Sequence, residues 1–240
     1  MAEAREKAMS ATQTRSETAA AAKCWSCQAA TSGAHFCPSC GKIEPLAKGA
    51  DYFAFFGWPQ KLTIDPERLE VEFHKLSWKL HPDNFVRASE FERNLSLERS
   101  SELNDAYRTL RDPIARVEYL LLKLGLRKEG ATKQQAPPEL LEEVFELNES
   151  LEELREARAG HGDMAQLRER LTAAQRDFED KLKGVDDELA ITAKLWDAAI
   201  ESGAEDSKKQ PLLARMNEIL NRRSYIRNLV AGVQKELTEA

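Results

Sequence analysis

The chain has 240 residues with 11 Gly and 9 Pro, so these two types make up about a twelfth of it, against ~12% in typical globular proteins. Charged residues reach 32% and aromatics only 7%, a composition that favours long, solvated, amphipathic helices over strands. Four Cys are too few for a disulfide scaffold, 42% hydrophobic residues argue against full disorder, no run approaches the ~18–20 apolar residues of a membrane span, and a net charge of −6 removes any global pull on nucleic acid or anionic membranes.

Residues 1–23 mix Arg5, Lys7, Arg15 and Lys23 with Glu3, Glu6 and Glu17 and contain no hydrophobic segment of signal-peptide length. They read as a disordered tail. The acidic residues do not suit a mitochondrial presequence, which places the chain in the cytoplasm, with the mitochondrial matrix as the alternative.

All four cysteines follow at once, as Cys24-Trp-Ser-Cys27, nine residues, and Cys37-Pro-Ser-Cys40. Two C-x-x-C knuckles bring four soft thiolates around one tetrahedral ion, most often zinc, and a closed four-thiolate site holds structure and leaves no open position for chemistry. Gly41 suits the tight turn after the second knuckle, which lets backbone amides point at sulfur. His35 is an alternative ligand, an iron–sulfur cluster is open on the same thiolates, and a pair of redox dithiols is the bland reading. The expected knuckle spans 24–48.

From Asp51 to Gly125 the pattern is helical. Asp51–Gly57 reads as a short aromatic helix. Asp65-Pro66-Glu67 supplies an N-cap, a proline at the first helical position and an acid for the helix dipole. Leu69, Phe73, Leu76 and Leu80 then step by 4, 3 and 4, which predicts one buried stripe. That helix must stop at His81-Pro82-Asp83, because proline lacks the amide and restricts the residue before it. A third helix is expected over Ser89–Leu110 with Phe91, Leu95, Leu103 and Tyr107 facing inward, and a fourth from Asp112-Pro113 to Gly125.

A polar linker, 126–138, ends in Pro137-Pro138. Beyond it three helices are expected: one from Leu140 broken by Gly160-His161-Gly162, one from about Asp163 to Ser202 with a bend near Gly184, and one from about Ser207 to Glu236. Pro211 is tolerable only in the first turn of the last. Leu140, Val144, Leu147, Leu151 and Leu154 form a heptad seam suited to a bundle over 139–240. At about 100° per residue, Leu141 and Phe145 fall roughly 100° and 140° off that seam, beside an arc of Glu149, Glu142, Glu153 and Glu146. Geometry alone favours a widened buried stripe over a docking patch.

Helix–His-Pro-Asp–helix after a short aromatic helix resembles the J-domain of DnaJ-type co-chaperones. Three stretches go further: Asp51–Gly57, Leu103-Asn-Asp-Ala-Tyr-Arg-Thr-Leu110 and Pro113-Ile-Ala-Arg-Val-Glu-Tyr-Leu-Leu122 resemble the HscB family, called Jac in yeast, the J-protein co-chaperones of iron–sulfur cluster biogenesis. The resemblance runs from about Cys24 to the C-terminus, and the four-cysteine knuckle is similar to that of animal-type and some bacterial members.

The resemblance implies an all-α fold: a J-domain over 50–125, a scaffold-binding three-helix domain and a zinc knuckle. It implies that His81, Pro82 and Asp83, with Lys75 and Lys79, dock on a DnaK/HscA-type chaperone and stimulate its ATPase. It implies that Leu141, Phe145, Glu146, Glu149, Glu153 and, on a looser match, Tyr225 contact an IscU-type scaffold, which reverses the geometric preference for a buried stripe. Glu70, Glu72 and Asn84 depart from the basic pattern usual around the chaperone-docking helix, and Glu142 stands at a usually apolar place. No phosphate loop, catalytic triad or catalytic metal spacing is present, so the reading is a non-enzymatic adaptor without nucleic-acid or membrane partners. A general holdase J-protein is the alternative, although no Gly/Phe-rich stretch or second knuckle pair supports it. A zinc-ribbon nucleic-acid binder lacks the basic clusters beside the cysteines.

Overall fold

The computed structural model describes residues 22–31, 33–46, 49–127, 137–160 and 164–239. Residues 1–21 of the expected tail, residues 128–136 of the expected linker and the break at His161–Asp163 lie outside them. The backbone separates into two compact units: the described residues up to Ala50 with Trp78–Ser101, and Asp51–Ser77 with the described residues from Glu102 onward.

Among the described residues there are two two-residue strands and seven α-helices. β1 (Ala22–Lys23) pairs antiparallel with β2 (Ala30–Thr31). The helices are α1 (Tyr52–Phe55), α2 (Pro66–Leu80), α3 (Glu90–Arg111), α4 (Pro113–Lys123), α5 (Leu141–Ala159), α6 (Met164–Glu201) and α7 (Asp206–Glu239). The protein is all-α apart from the knuckle ribbon.

Local chemistry explains the helix starts. The Asp51 carboxylate accepts from the Ala54 amide at 2.7 Å, Asp65 from Glu67 at 3.0 Å, and Asp112 from Ile114 and Ala115 at 2.8 Å each. Pro66 and Pro113 occupy the first positions of α2 and α4, where a missing amide costs nothing. α2 ends at Leu80, immediately before the proline turn, and Gly125 leaves α4 at φ +70°. In the second unit Leu69, Leu103, Ala106, Leu110, Val117, Leu120 and Leu121 are buried, while Phe73 is half-buried and stacks on Tyr107 with centroids 4.1 Å apart.

The three long helices pack in alternating directions, as their ion pairs record. α5 and α6 are antiparallel, since Glu143 pairs with Lys181 at 3.2 Å and Glu153 with Arg170 at 3.0 Å. α6 and α7 are antiparallel too, with Asp186 bound to Arg223 at 2.6 Å and Gln175 to Gln234 at 2.7 Å. α5 and α7 therefore run parallel: Glu139, just before α5, meets Arg222 at the middle of α7 at 3.5 Å, and Arg155 and Arg158 near the end of α5 meet Glu236 near the end of α7 at 2.5 and 2.9 Å. The shared core is Leu140 just before α5, Val144, Leu147 and Leu154 from α5, Leu171, Phe178, Val185, Leu189 and Trp196 from α6, and Leu213, Met216, Leu220, Ile226 and Val233 from α7.

Three sequence expectations need correction. Pro211 is the sixth residue of α7, past the first turn, and the helix continues through it. Ala22 and Lys23, expected at the end of the disordered tail 1–23, form β1 and pair with Thr31 and Ala30. Phe91 is 47% exposed and does not face the core; at that end of α3 its neighbour is the knuckle's Trp25, edge-on at 4.7 Å.

The second unit also contains a buried polar joint absent from the sequence expectations. The Asp197 carboxylate on α6 accepts from the amides of Leu62 and Thr63 at 2.6 and 2.8 Å, and Trp196 donates to the Gln60 carbonyl at 2.7 Å. Arg116 spans the carbonyls of Leu110 and Leu62. Burial holds its guanidinium pKa below the ordinary value, against the pull of Asp112 and Asp197. Because Asp197 is 8% exposed, Asp197→Ala leaves two amides without acceptors. It is expected to lower unfolding stability by about 2–3 kcal/mol in urea denaturation, with Asp197→Asn losing less because one acceptor remains.

Candidate functional site

Three groups of side chains carry the functional expectations. The first is the four-thiol cluster. The β1–β2 pair frames the first knuckle, and an isolated bridge between Phe36 and Ile43 frames the second. The Sγ atoms of Cys24, Cys27, Cys37 and Cys40 all lie within 4.8 Å of one another. Cys24–Cys40 and Cys27–Cys37 are 3.7 and 3.6 Å apart. Tetrahedral zinc with bonds of ~2.3 Å places its sulfurs ~3.8 Å apart, so the donor set fits such an ion.

Amides of Ser26 and Ser39 point at Cys24 Sγ and Cys37 Sγ at 3.3 and 3.4 Å, as thiolate ligands require. The residues after each second cysteine, Gln28 and Gly41, take left-handed conformations at φ 63° and 70°. The amide of Lys42 favours the Cys40 thiolate, but desolvation and the three neighbouring thiols outweigh it and push the thiol up to about 12. A bound cation would reverse that balance. His35 is not part of the thiol cluster; its Nδ1 bonds to the guanidinium of Arg99, which is buried.

The second group surrounds His81-Pro82-Asp83. The turn Pro82–Phe85 is a short 3-10 helix, with His81 Nδ1 accepting from the Asp83 amide at 3.3 Å. The His81 and Asp83 side chains are 55% and 85% exposed. Neither is used for packing, so both face outward from a stiff loop. Lys75 and Lys79 are exposed on α2, and Lys75 is held by Glu72 at 2.8 Å. Asn84, which departs from the usual basic residue, donates to the Trp78 carbonyl at 2.6 Å and so ties the loop to the helix end. Trp78 is 80% exposed on the same helix. It lies two residues after Leu76, about 200° round the helix from the stripe of Leu69, Phe73, Leu76 and Leu80.

The third group is on α5. Leu141 is 55% and Phe145 71% exposed, so they do not widen the buried stripe. Glu146, Glu149 and Glu153 are exposed on the same helix, and Glu146 and Glu149 also border a cleft of about 590 Å³ between α5 and α6 that includes Arg170 and Phe178. Tyr225 is half-buried on α7, one turn after Arg222, whose partner Glu139 precedes Leu141 by two residues. The parallel pairing of α5 and α7 thus sets Tyr225 level with the start of the α5 patch.

A helix–His-Pro-Asp–helix hairpin with an outward-facing loop, a three-helix bundle with an exposed apolar patch and a four-thiol knuckle define a J-type co-chaperone. Comparison with protein-family models finds no match. Among known proteins the chain is 32% identical to the co-chaperone protein HscB homolog of Vibrio vulnificus over 170 residues, 70% of this chain and 94% of that one. It is 35% identical to the HscB homolog of Aromatoleum aromaticum over 138 residues, 58% of this chain and 77% of that one. The crystal structure of human co-chaperone protein HscB matches the fold with a TM-score of 0.61 and 25% identity, covering 90% of this chain and 98% of that one. The chain belongs to the HscB co-chaperone family.

Proposed function

We propose that this chain is a non-enzymatic adaptor of iron–sulfur cluster assembly, working in the bacterial cytoplasm. In this reading the J-domain, 50–125, uses His81, Pro82 and Asp83 with Lys75 and Lys79 to dock on a DnaK/HscA-type chaperone and stimulate its ATP hydrolysis. The bundle, 139–240, binds an IscU-type scaffold through Leu141, Phe145, Glu146, Glu149, Glu153 and Tyr225. Linking the two sites, across the segment 126–138, raises the effective concentration of the scaffold at the chaperone. Hydrolysis takes place on the partner.

The observation that carries the reading is that one HscB-family chain exposes both the His81/Asp83 pair and the Leu141/Phe145 pair, four side chains that the fold does not need. Cys24, Cys27, Cys37 and Cys40 would hold zinc in the knuckle over 24–48. Bound there, the ion supplies a structural cross-link with all four positions filled by protein. No helix among the described residues is long and apolar enough to cross a membrane.

The test is reconstitution. The cognate chaperone's steady-state ATPase is expected to rise on adding this chain and to rise further when the scaffold is present. Affinity purification is expected to retain chiefly that chaperone and that scaffold. No stimulation overturns the reading, and retention of many denatured proteins in place of one scaffold favours the holdase alternative.

A further inference from the structure

We propose that the four-cysteine knuckle is a brace for the first turns of α3, and that through this helix it keeps the His81-Pro82-Asp83 loop in its docking shape. The functional half of the proposal rests on the docking role of that loop.

Three described side chains of the knuckle, each within two residues of a cysteine, meet α3. Trp25, beside Cys24, meets Phe91 edge-on at 4.7 Å and donates its indole N–H to the Ile43 carbonyl at 2.8 Å. Lys42, two residues after Cys40, places Nζ 2.8 Å from the Glu92 carboxylate. His35, two residues before Cys37, bonds to Arg99, whose guanidinium is 1% exposed. Together they hold α3 over its first ten residues.

These contacts depend on the thiol cluster for their geometry. Among its described residues, the knuckle has two two-residue strands and one bridge as regular backbone. A segment this small does not keep a fixed shape without a staple, and bound metal is the staple that four converging sulfurs supply. With the sulfurs released, Trp25, His35 and Lys42 lose their common frame.

α3 in turn holds the loop. Glu92 is 5% exposed and closes a capping box at the helix start, its carboxylate accepting from the Ser89 amide at 3.3 Å while its own amide donates to the Ser89 hydroxyl at 3.3 Å. Lys42 bonding keeps the Glu92 carboxyl below its ordinary pKa, which keeps both the cap and the pair charged. One and two turns on, the hydroxyls of Ser96 and Ser100 donate to the Leu80 carbonyl at 2.6 and 3.0 Å. That carbonyl is an orphan acceptor at the end of α2 and belongs to the residue before His81. Arg99 lies between the two serines, so the knuckle's His35 reaches the same turn that anchors the loop.

Knuckle, loop and the first half of α3 also fall in one compact unit of the backbone. Metal binding therefore acts as pre-organisation: the ordering of the loop is settled before the chaperone arrives. Trp25, His35 and Lys42 are positioning residues of the docking loop.

Hydrogen–deuterium exchange on the full chain tests this, with the zinc-loaded protein, the chelated protein and a Trp25→Ala/Lys42→Ala double variant whose metal content is verified. Amides over 84–95 are expected to exchange about tenfold faster after chelation. In the double variant, with metal still bound, they are expected to exchange about threefold faster, which is what an ion pair and an edge-on aromatic contact contribute. The double variant is also expected to need several-fold more protein for half-maximal ATPase stimulation, with the maximum unchanged. Equal exchange over 84–95 in all three samples overturns the brace. Acceleration on chelation but not in the double variant overturns its assignment to these side chains. Undiminished stimulation by Asp83→Asn refutes the docking role and leaves the exchange result to decide the brace by itself.

Discussion

Asp83→Asn is expected to abolish stimulation of the DnaK/HscA-type ATPase while leaving the fold intact. The side chain is 85% exposed and lies 3.5 Å from His81 Nδ1, itself on an exposed side chain, so the fold does not depend on its charge. The asparagine is nearly isosteric, and an exposed change of this kind shifts stability by no more than ~0.5 kcal/mol. In the docked complex the loss is of another order. A carboxylate carried on a stiff proline turn suits an arginine of the chaperone, and truncating one partner of a desolvated charge pair costs about 2–5 kcal/mol. At ~1.4 kcal/mol per tenfold, that is a fall of roughly thirtyfold to several thousandfold, beyond the reach of added protein in a steady-state assay. Unchanged urea midpoint with stimulation lost is the expected pair of results. Stimulation within threefold of wild type would remove this loop from the chaperone interface.

What could be read from the sequence was what the chain decides locally. Asp51, Asp65 and Asp112 cap their helices within three residues, and Pro82 ends α2 where it stands, so residue type and spacing suffice. The two C-x-x-C pairs are legible for the same reason. The Asp197 joint is not: its amide partners are 134 and 135 residues away, and an aspartate amid helical residues reads as one more solvated charge. Phe91 shows the same limit from the other side. It keeps the period of the core stripe, but what lies opposite it is Trp25 of the knuckle, and periodicity reports a face without reporting its neighbour. Leu141 and Phe145 were ambiguous on a wheel because a bundle helix tolerates a wide stripe. Packing decides the matter: the antiparallel contact with α6 and the parallel contact with α7 are both made on the Leu140–Val144–Leu147–Leu154 side, and the other two side chains are left outside.

That exposure sets the second large effect. Leu141→Ala with Phe145→Ala is expected to weaken binding of the IscU-type scaffold by about 2–4 kcal/mol, a rise in Kd of roughly thirtyfold to a thousandfold, measured by titration calorimetry. Truncating a phenylalanine this exposed removes little from the bundle core, so thermal unfolding of the double variant is expected to match wild type. The acidic residues should behave differently. Glu146 and Glu149 are exposed and Glu153 already pairs with Arg170 at 3.0 Å, which places these charges on a wet rim around the apolar pair. Rim charges govern the association rate and its salt dependence more than the lifetime of the complex. Glu146→Gln with Glu149→Gln is therefore expected to slow association and flatten its dependence on salt, with a dissociation rate close to wild type. The apolar pair should do the reverse, speeding dissociation at every salt concentration. If both double variants bind as wild type does, the scaffold sits elsewhere on the bundle; if only the acidic variant is impaired, the contact is one of charge and the apolar pair is not its centre.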